Sequence, residues 1–212
     1  MGDLKGKNIL LGICGGIAAY KSAVLCRELV KRGAEVRVVM TQSATQFITP
    51  LTMQALSGHA VQSDIFDAES DHGMGHIELA RWADLILVAP ASANTISRIA
   101  HGRADDLLAT TVLASTASLV LAPAMNQQMW SNQATLENIK NLESRGISIL
   151  GPDSGEQACG EQGAGRMIEP EAIADHVESL IPSGLLRGIN VTITAGPTWE
   201  AIDPVRGITN HS

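Results

Sequence analysis

The residues best suited to chemistry lie where apolar segments end in short loops of glycines, hydroxyls and amides. The first of these loops, GICGGIAAYKS (residues 12–22), lies between an apolar run and an amphipathic segment. A strand that ends in glycines and opens a helix commonly binds phosphate, because backbone N–H groups point at the anion. The glycine spacing does not fit the dinucleotide pattern G-x-G-x-x-G, and Tyr20 replaces the glycine that the Walker A pattern requires before Lys21-Ser22. The loop therefore predicts a phosphate site of neither common class.

Three further loops also follow apolar runs and carry little charge: TQS (41–43), PASANT (90–95) and PAMNQQMW (123–130). Ligands of open α/β sheets bind outside the carboxyl ends of the strands, so we expect the four loops to meet at one edge. Their hydroxyls and N–H groups suit a phosphate, and the amide of Asn126 suits a carboxylate or an amide. Taken singly, each loop is better explained as a turn or, at Ser92, as a helix cap, but four such loops at one edge favour a ligand site.

Cysteine and histidine supply the remaining reactive groups. Cys159 lies in GEQACGEQGAGRM, within a glycine-rich stretch (151–167) that shows no strand or helix pattern. Loops of this length inside a domain are commonly functional lids, and a cysteine there can donate a proton or act as a nucleophile. His76 stands alone in GMGHIELARWAD, where a structural role is the ordinary explanation. No spacing of histidines and cysteines indicates zinc, so no metal site is predicted.

The alternation of short apolar runs with helical segments indicates the elements that must position these loops. Continuous apolar strands between helices predict an α/β fold, with a doubly wound parallel sheet and helices on both faces. The charge-free stretch 107–136 is long enough to span a bilayer, but we interpret it as a buried helix followed by a buried strand. The expected strands are 8–13, 35–40, 84–89, 118–122 and 147–150, and the expected helices are 17–31, 50–56, 76–82, 104–113, 132–145 and 169–180.

Composition excludes some partners and indicates a compartment. The formal net charge is −7 and no run of basic residues occurs, which argues against a nucleic-acid partner. Neither a signal peptide nor a membrane span is expected. The three cysteines form no C-x-x-C pair, so we expect a reducing, cytoplasmic location.

A domain boundary is predicted near IPSGLLRG (181–188), which has the composition of a linker. INVTITAGPTWEAIDP then begins again with a strand and a Gly-Pro turn, as the first strand did. We therefore expect one domain over residues 1–187 and the start of a second over residues 188–212.

Four stretches together resemble one family: GGIAAYK, PASANT, PAMNQQMW and ACGEQGAGRM. They are similar to the homo-oligomeric, flavin-containing cysteine decarboxylases, in particular to the decarboxylase half of bacterial bifunctional coenzyme A biosynthesis proteins. The resemblance implies a Rossmann-like (flavodoxin-like) fold, bound FMN and assembly into homotrimers or dodecamers. Residues 188–212 resemble the opening of the phosphopantothenate–cysteine ligase half, to which alone Mg and CTP would belong.

The resemblance also implies a role for individual residues. Cys159 matches the family's proton donor, His76 its active-site histidine, and Asn126 the residue that holds the substrate carboxylate. Lys21 becomes an ordinary helix residue, and Cys14 stands where the family commonly has serine. FMN would be bound by Gly15, Gly16, Ile17, Thr41, Ser43, Ser92, Ala93, Asn94, Thr95 and Ala124, and substrate by Asn126, Met129 and Ala158.

The implied reaction is the decarboxylation of 4′-phosphopantothenoylcysteine to 4′-phosphopantetheine. Oxidation of the thiol to a thioaldehyde places a thiocarbonyl beside the carbon that loses CO2, and re-reduction then restores the flavin. Two alternatives share the fold: a decarboxylase of C-terminal cysteine in peptides, and a flavoprotein that regulates a partner.

Overall fold

The computed structural model of the chain describes residues 4–65, 75–158, 160–181 and 199–209. The chain divides into two units, Met1–Pro182 and Ser183–Ser212. The first unit carries the loops that the sequence singles out for chemistry.

A parallel sheet forms the centre of the first unit. Its strands lie in the order β2-β1-β3-β4-β5, which is the order of a flavodoxin-like doubly wound sheet. This confirms the predicted fold class, although β5 is shorter than expected. The strands are β1 (Asn8–Ile13), β2 (Glu35–Met40), β3 (Leu85–Ala91), β4 (Ser118–Pro123) and β5 (Ser148–Ile149).

Helices follow the strands and cover both faces of the sheet. The sequence did not single out the short helix after Asn126 as a separate element. The helices are α1 (Ala19–Lys31), α2 (Pro50–Ser57), α3 (Gly75–Trp82), α4 (Ala93–Ala100), α5 (Leu107–Ala114), α6 (Gln127–Ser131), α7 (Gln133–Ser144) and α8 (Pro170–Leu180), with a 3₁₀ turn at Ala44–Gln46.

The strands read as continuous apolar runs because both of their faces are buried. In β1, Ile9 and Leu11 belong to one core cluster, which also contains Leu25 of α1 and other residues of α1 and α8. Leu10 points the other way, into a cluster built with residues of α4, α5 and α7, among them Leu108. Alternate residues of a strand point to opposite faces, so each strand contributes to both cores.

Side-chain caps set where several helices begin. The sequence predicts a helix from residue 104, but α5 begins at Leu107 because the Asp106 side chain accepts a hydrogen bond from the N–H of Ala109 at 2.7 Å. The charge-free stretch 107–136 is α5, then β4, and then α6 with the start of α7, as predicted for its first two elements. Within the described ranges, no helix is long and apolar enough to cross a bilayer.

The glycine-rich stretch after β5 was predicted to lack strands, and this was wrong. It forms an antiparallel hairpin of β6 (Asp153–Glu156) and β7 (Gln162–Arg166). The N–H of Met125 donates to the carbonyl of Gly165 at 2.9 Å, and a Cβ added to Gly165 would lie 2.2 Å from the carbonyl oxygen of Met125. Glycine here serves close backbone approach rather than flexibility, which is why strand propensity failed to indicate the hairpin.

The second unit contributes one described hairpin, β8 (Trp199–Ala201) paired with β9 (Gly207–Thr209). Asp203 closes its turn by accepting hydrogen bonds from the N–H groups of Val205 at 2.9 Å and Arg206 at 2.8 Å. The Arg206 guanidinium, followed by these backbone bonds, lowers the pKa of Asp203 below its ordinary value. The strand expected from about residue 189 lies outside the described residues.

Candidate functional site

A first cavity of about 910 Å³ opens at the carboxyl ends of β1, β3 and β4. It lies at the point where the strand order reverses between β1 and β3, the position at which doubly wound sheets bind ligands. The β6–β7 hairpin and α6 supply its other walls. Its lining includes Gly15, Gly16, Ile17, Lys21, Ser92, Ala93, Ala124, Asn126, Met129, Gln157, Ala158, Gly160 and Arg166.

A second cavity of about 560 Å³ opens at the ends of β2 and β3 and shares Ser92 with the first. Hydroxyl and amide groups dominate its lining, together with one arginine and two aspartates. The lining is formed by Thr41, Gln42, Ser43, Gln46, Ser92, Asn94, Thr95, Arg98, Asp105 and Asp106. Every residue predicted to bind the cofactor therefore lines one of the two cavities.

Close backbone contacts hold the loops of β1 and β2 together. The N–H of Thr41 donates to the carbonyl of Ile13 at 3.0 Å. A Cβ added to Gly15 would lie 2.6 Å from the Ser43 hydroxyl oxygen, so only glycine allows these loops to approach so closely. The hydroxyls of Thr41 and Ser43 are 3.2 Å apart. The contacts place two hydroxyls of the β2 loop beside the glycine turn.

Ser92 caps α4, the helix that begins between the two cavities. Its hydroxyl accepts a hydrogen bond from the N–H of Thr95 at 3.3 Å. The Thr95 hydroxyl in turn accepts hydrogen bonds from Ser92 at 3.3 Å and from the Cys14 thiol at 3.1 Å. Burial raises the pKa of Cys14 above its ordinary value, so this thiol stays protonated at neutral pH. Cys14 is not among the described residues that line either cavity.

The Asn126 amide, at the end of β4, is hydrogen-bonded through both its oxygen and its nitrogen. Its carbonyl oxygen caps α6 by accepting the N–H of Gln128 at 2.8 Å. Its amide nitrogen donates to the Glu161 carboxylate at 2.6 Å and to the Gln157 side chain at 3.4 Å. The geometry therefore points an N–H donor of Asn126, which lines the first cavity, at the carboxylate of Glu161.

Lys21 was predicted to be an ordinary helix residue, but the structure gives it a specific contact. It is buried in α1, and its ammonium donates to the carbonyl of Met167 at 3.0 Å and to the Glu169 carboxylate at 2.8 Å. Lys21 thus joins the helix after the glycine turn to the segment that follows the β6–β7 hairpin. The sequence signal was its place four residues before the buried Leu25, on the apolar face of α1.

Two predicted catalytic residues are not placed at the cavities. His76 lies half-buried in α3 and is not among the described residues that line either cavity. Its buried Nδ1 has no hydrogen-bond partner within the described part of the chain. Cys159 lies outside the described residues, while its neighbours Ala158 and Gly160 line the first cavity.

The sequence did not single out Arg98 or Gln157. Arg98 lies one turn after Thr95 on α4, and its guanidinium pairs with Asp106 and, at 3.3 Å, with Asp105. The (i, i+3) spacing from Thr95 was the available signal. The Gln157 side chain accepts the N–H of Gln127 at 3.1 Å and so fastens the hairpin to the start of α6.

The chain matches two family models and several curated proteins. The model described as Flavoprotein matches residues 1–182, and that of the DNA/pantothenate metabolism flavoprotein C-terminal domain matches residues 186–212. The Coenzyme A biosynthesis bifunctional protein CoaBC of Vibrio cholerae serotype O1 is 58% identical over 212 residues, which is 100% of this chain and 53% of that protein. The protein of the same name from Escherichia coli strain K12 is 53% identical over 99% of this chain and 52% of its own length. The chain thus spans about half the length of these relatives.

Solved structures of similar proteins agree with the fold. One is a mutant PPC decarboxylase complexed with pantothenoylaminoethenethiol, 36% identical with a TM-score of 0.73, covering 82% of this chain and 97% of that chain. Another is the FMN binding protein AtHal3, 36% identical with a TM-score of 0.72, covering 83% of this chain and 97% of that chain. Because the first family model spans the whole described part of the unit that contains both cavities, the chain belongs to the flavoprotein family.

Proposed function

We propose that the chain binds FMN and decarboxylates 4′-phosphopantothenoylcysteine to 4′-phosphopantetheine, a step of coenzyme A biosynthesis. The names of its relatives and of a similar solved structure support this substrate class. The observation that carries the proposal is the amide of Asn126, which lines the first cavity and already donates to a carboxylate, that of Glu161, at 2.6 Å. A substrate carboxylate in the first cavity would receive a hydrogen bond from this amide in place of Glu161.

The two cavities fit a flavin mononucleotide. The first cavity, at about 910 Å³, falls in the size range of cofactor sites, and the small side chains of Ala93 and Ala124 leave room for a ring system. The second offers the hydroxyls of Thr41, Ser43 and Thr95 for a phosphate, near the N-terminus of α4. The glycine at position 15 keeps the passage beside Ser43 free of a side chain.

The residues of the chain would share the work of decarboxylation. When bound, the flavin supplies a reversible two-electron acceptor that ends the reaction in its starting oxidation state. The Asn126 amide exchanges its hydrogen bond to Glu161 for one to the substrate carboxylate. This hydrogen bond positions the substrate carboxylate for loss of CO2. With the neighbouring carbon oxidised to a thioaldehyde, the electron pair left by CO2 moves onto sulfur and forms an enethiolate. We assign to Cys159 the proton that reaches carbon during re-reduction.

His76 requires a second protomer in this proposal. We propose that the chain self-associates as a homotrimer or a dodecamer and that His76 of one protomer assists oxidation at the cavity of another. Two observations support this assignment: His76 is not among the described residues that line either cavity, and its buried Nδ1 has no hydrogen-bond partner among the residues that the structure describes. Native mass spectrometry measures the subunit number. Mixed assemblies of His76→Ala and Asn126→Ala chains should regain activity that neither variant has alone, and no regain would contradict action across an interface.

The proposed function divides along the chain. We propose that residues 1–187 form the FMN-binding decarboxylase domain and that residues 188–212 open a ligase domain. The separate family model matched to residues 186–212 supports this division. CTP-dependent ligation is therefore not proposed for the residues present here.

The experiment incubates the FMN-loaded chain with 4′-phosphopantothenoylcysteine and measures released CO2 and 4′-phosphopantetheine. Asn126→Asp should strongly lower turnover, because a second carboxylate repels that of the substrate. Gln133→Ala, at an exposed position that pairs with Glu137, is the control and should be unaffected. Preferred turnover of peptides that end in cysteine would assign the other decarboxylase activity. Flavin binding without CO2 release from either substrate would favour a regulatory protein.

Cys159→Ser tests the proton donor separately. This variant should still oxidise the substrate and release CO2, but it should accumulate the enethiol because protonation at carbon fails. The enethiol is identified by mass spectrometry. Full conversion to 4′-phosphopantetheine by this variant would show that another group donates the proton.

A further inference from the structure

The hydroxyl oxygen of Thr95 receives two hydrogen bonds at the start of α4. The Cys14 thiol donates to it at 3.1 Å, and the Ser92 hydroxyl donates to it at 3.3 Å. A hydroxyl oxygen has two acceptor lone pairs and one proton, so both acceptor positions of Thr95 are occupied. The proton must then point away from Cys14 and Ser92, and no described residue is recorded as accepting it.

Thr95 also lines the second cavity, which gives this proton a place to point. Thr95 is only 2% exposed, yet it lines the second cavity beside Ser43 and Asn94. The Ser92 hydroxyl is already committed, because it accepts the N–H of Thr95 and donates to the Thr95 oxygen. A buried hydroxyl in this state acts as a donor toward whatever occupies the cavity, and the group that gains most from such a donor is an anion.

Cys14 contacts two residues that line this cavity, Ser92 and Thr95, and its thiol donates to the Thr95 hydroxyl. It is 1% exposed and is not among the described residues that line the cavity. Burial raises the pKa of Cys14, so the sulfur carries its proton at neutral pH and is a donor to Thr95 rather than an acceptor. Loss of the thiol would free one lone pair of Thr95 and allow its hydroxyl to rotate.

We propose that Cys14 is a positioning residue that turns the hydroxyl proton of Thr95 into the second cavity, toward the phosphate of a bound flavin nucleotide. This inference rests on the proposed function, which assigns the phosphate to that cavity. The cysteine at position 14 thus affects phosphate binding without touching the phosphate.

The test compares the dissociation constants of FMN and of riboflavin, which lacks the phosphate, by fluorescence titration of the flavin-free full chain. Cys14→Ala should weaken FMN binding about 3- to 10-fold, the usual effect of one neutral hydrogen bond, and leave riboflavin binding unchanged. Cys14→Ser, which restores an O–H donor, should recover the affinity for FMN. Cys26→Ala is the matched control, since it removes an equally buried thiol of α1 that is recorded in no hydrogen bond.

A double-mutant cycle tests the route through Thr95. Thr95→Val preserves the branched shape but removes the donor, and it should weaken FMN binding about 10- to 100-fold, as expected for a hydrogen bond to a charged group. In this background, Cys14→Ala should add no further loss, because the hydroxyl that it orients is gone. Independent, additive losses would overturn the inference.

Other outcomes separate the inference from the proposed function. A wild-type chain that binds riboflavin as tightly as FMN would contradict the placing of the phosphate, and with it the proposed function. If wild type prefers FMN but Cys14→Ala leaves that preference unchanged, the inference alone is overturned. Equal weakening of FMN and riboflavin by Cys14→Ala would show a merely structural role and would also overturn it.

Discussion

At the scale of single residues, burial decides what a side chain does. Lys21 and Lys31 lie on the same helix and each forms an ion pair, but their surroundings differ. The Lys21 side chain is 10% exposed and also donates to the backbone of Met167, whereas the Lys31 side chain is 58% exposed and contacts only Glu28 among the pairs recorded. Exposed ion pairs contribute little, whereas a buried carbonyl that loses its donor is costly.

Lys21→Met should therefore destabilise the chain. The methionine fills similar volume but leaves the buried carbonyl of Met167 without this donor, at a cost of about 1 to 3 kcal/mol in the free energy of unfolding. Urea denaturation of the flavin-free chain measures it. Lys31→Met is the matched control and should leave the stability nearly unchanged; equal effects of the two substitutions would contradict the role assigned to Lys21.

Because the Cys26 thiol is buried, we expect the folded chain to lose stability in alkali. Burial raises its pKa from the ordinary 9.0 to about 11, because the thiolate is disfavoured inside the core. The unfolded chain then releases this proton first, so the stabilising contribution is complete below pH 9 and is lost as the pH rises toward 11, by up to about 3 kcal/mol. Urea denaturation between pH 8 and 11 measures it. Cys26→Ala should be less stable below pH 9 but should show a shallower decline above it; parallel curves would refute the assignment.

At the scale of elements, the β6–β7 hairpin depends on its contact with the start of α6. Met125 and Gln127 donate backbone N–H groups to the hairpin, to the Gly165 carbonyl and the Gln157 side chain. The hairpin carries several residues of the first cavity wall, including Ala158 and Gly160. Loosening this contact would therefore disturb substrate binding more than phosphate binding.

Gly165→Ala tests the contact. The new Cβ would lie 2.2 Å from the carbonyl oxygen of Met125, at a φ of +148° that side chains rarely adopt, so the hairpin must shift. We expect faster proteolytic cleavage in residues 151–167 and a higher KM for substrate, with FMN affinity largely kept. Gly146→Ala also places a side chain at positive φ, +81°, but meets no atom within 4 Å, and it should change neither measurement.

At the scale of the whole molecule, both cavities are lined by residues of the first unit. A flavin that binds the folded state alone stabilises it by mass action. The described hairpin of the second unit contributes no residue to either lining. Flavin binding should therefore be a property of residues 1–182.

A chain shortened to residues 1–182 should bind FMN as tightly as the full chain. At an FMN concentration of 100 times the dissociation constant, both chains should gain about 2.7 kcal/mol in the free energy of unfolding. Urea denaturation with and without FMN measures the gain. The control replaces FMN with AMP, which should give no gain. A shortened chain that folds but no longer gains stability from FMN would contradict this assignment.

The local sequence pattern predicted the structure correctly wherever the structure depends on residues that are neighbours in the sequence. The continuous apolar runs of β1 and β3 indicated a sheet buried on both faces, and strand ends indicated which loops meet. The residues named for the cofactor, such as Gly15 and Ser92, accordingly line the two cavities. The start of α5 at Leu107 was missed because one cap, Asp106, overrides the helical pattern before it.

The sequence by itself determined the α/β fold, the edge of the sheet where both cavities open and the residue types that meet there, because strand burial and loop placement follow from local periodicity. Only the tertiary structure decided that a glycine-rich stretch pairs as a hairpin, that Lys21 donates to the backbone carbonyl of Met167, and that Cys14 donates to the Thr95 hydroxyl. The last two contacts join residues that are 146 and 81 positions apart in the sequence. Hydrogen bonds over such separations depend on packing, which no local pattern records.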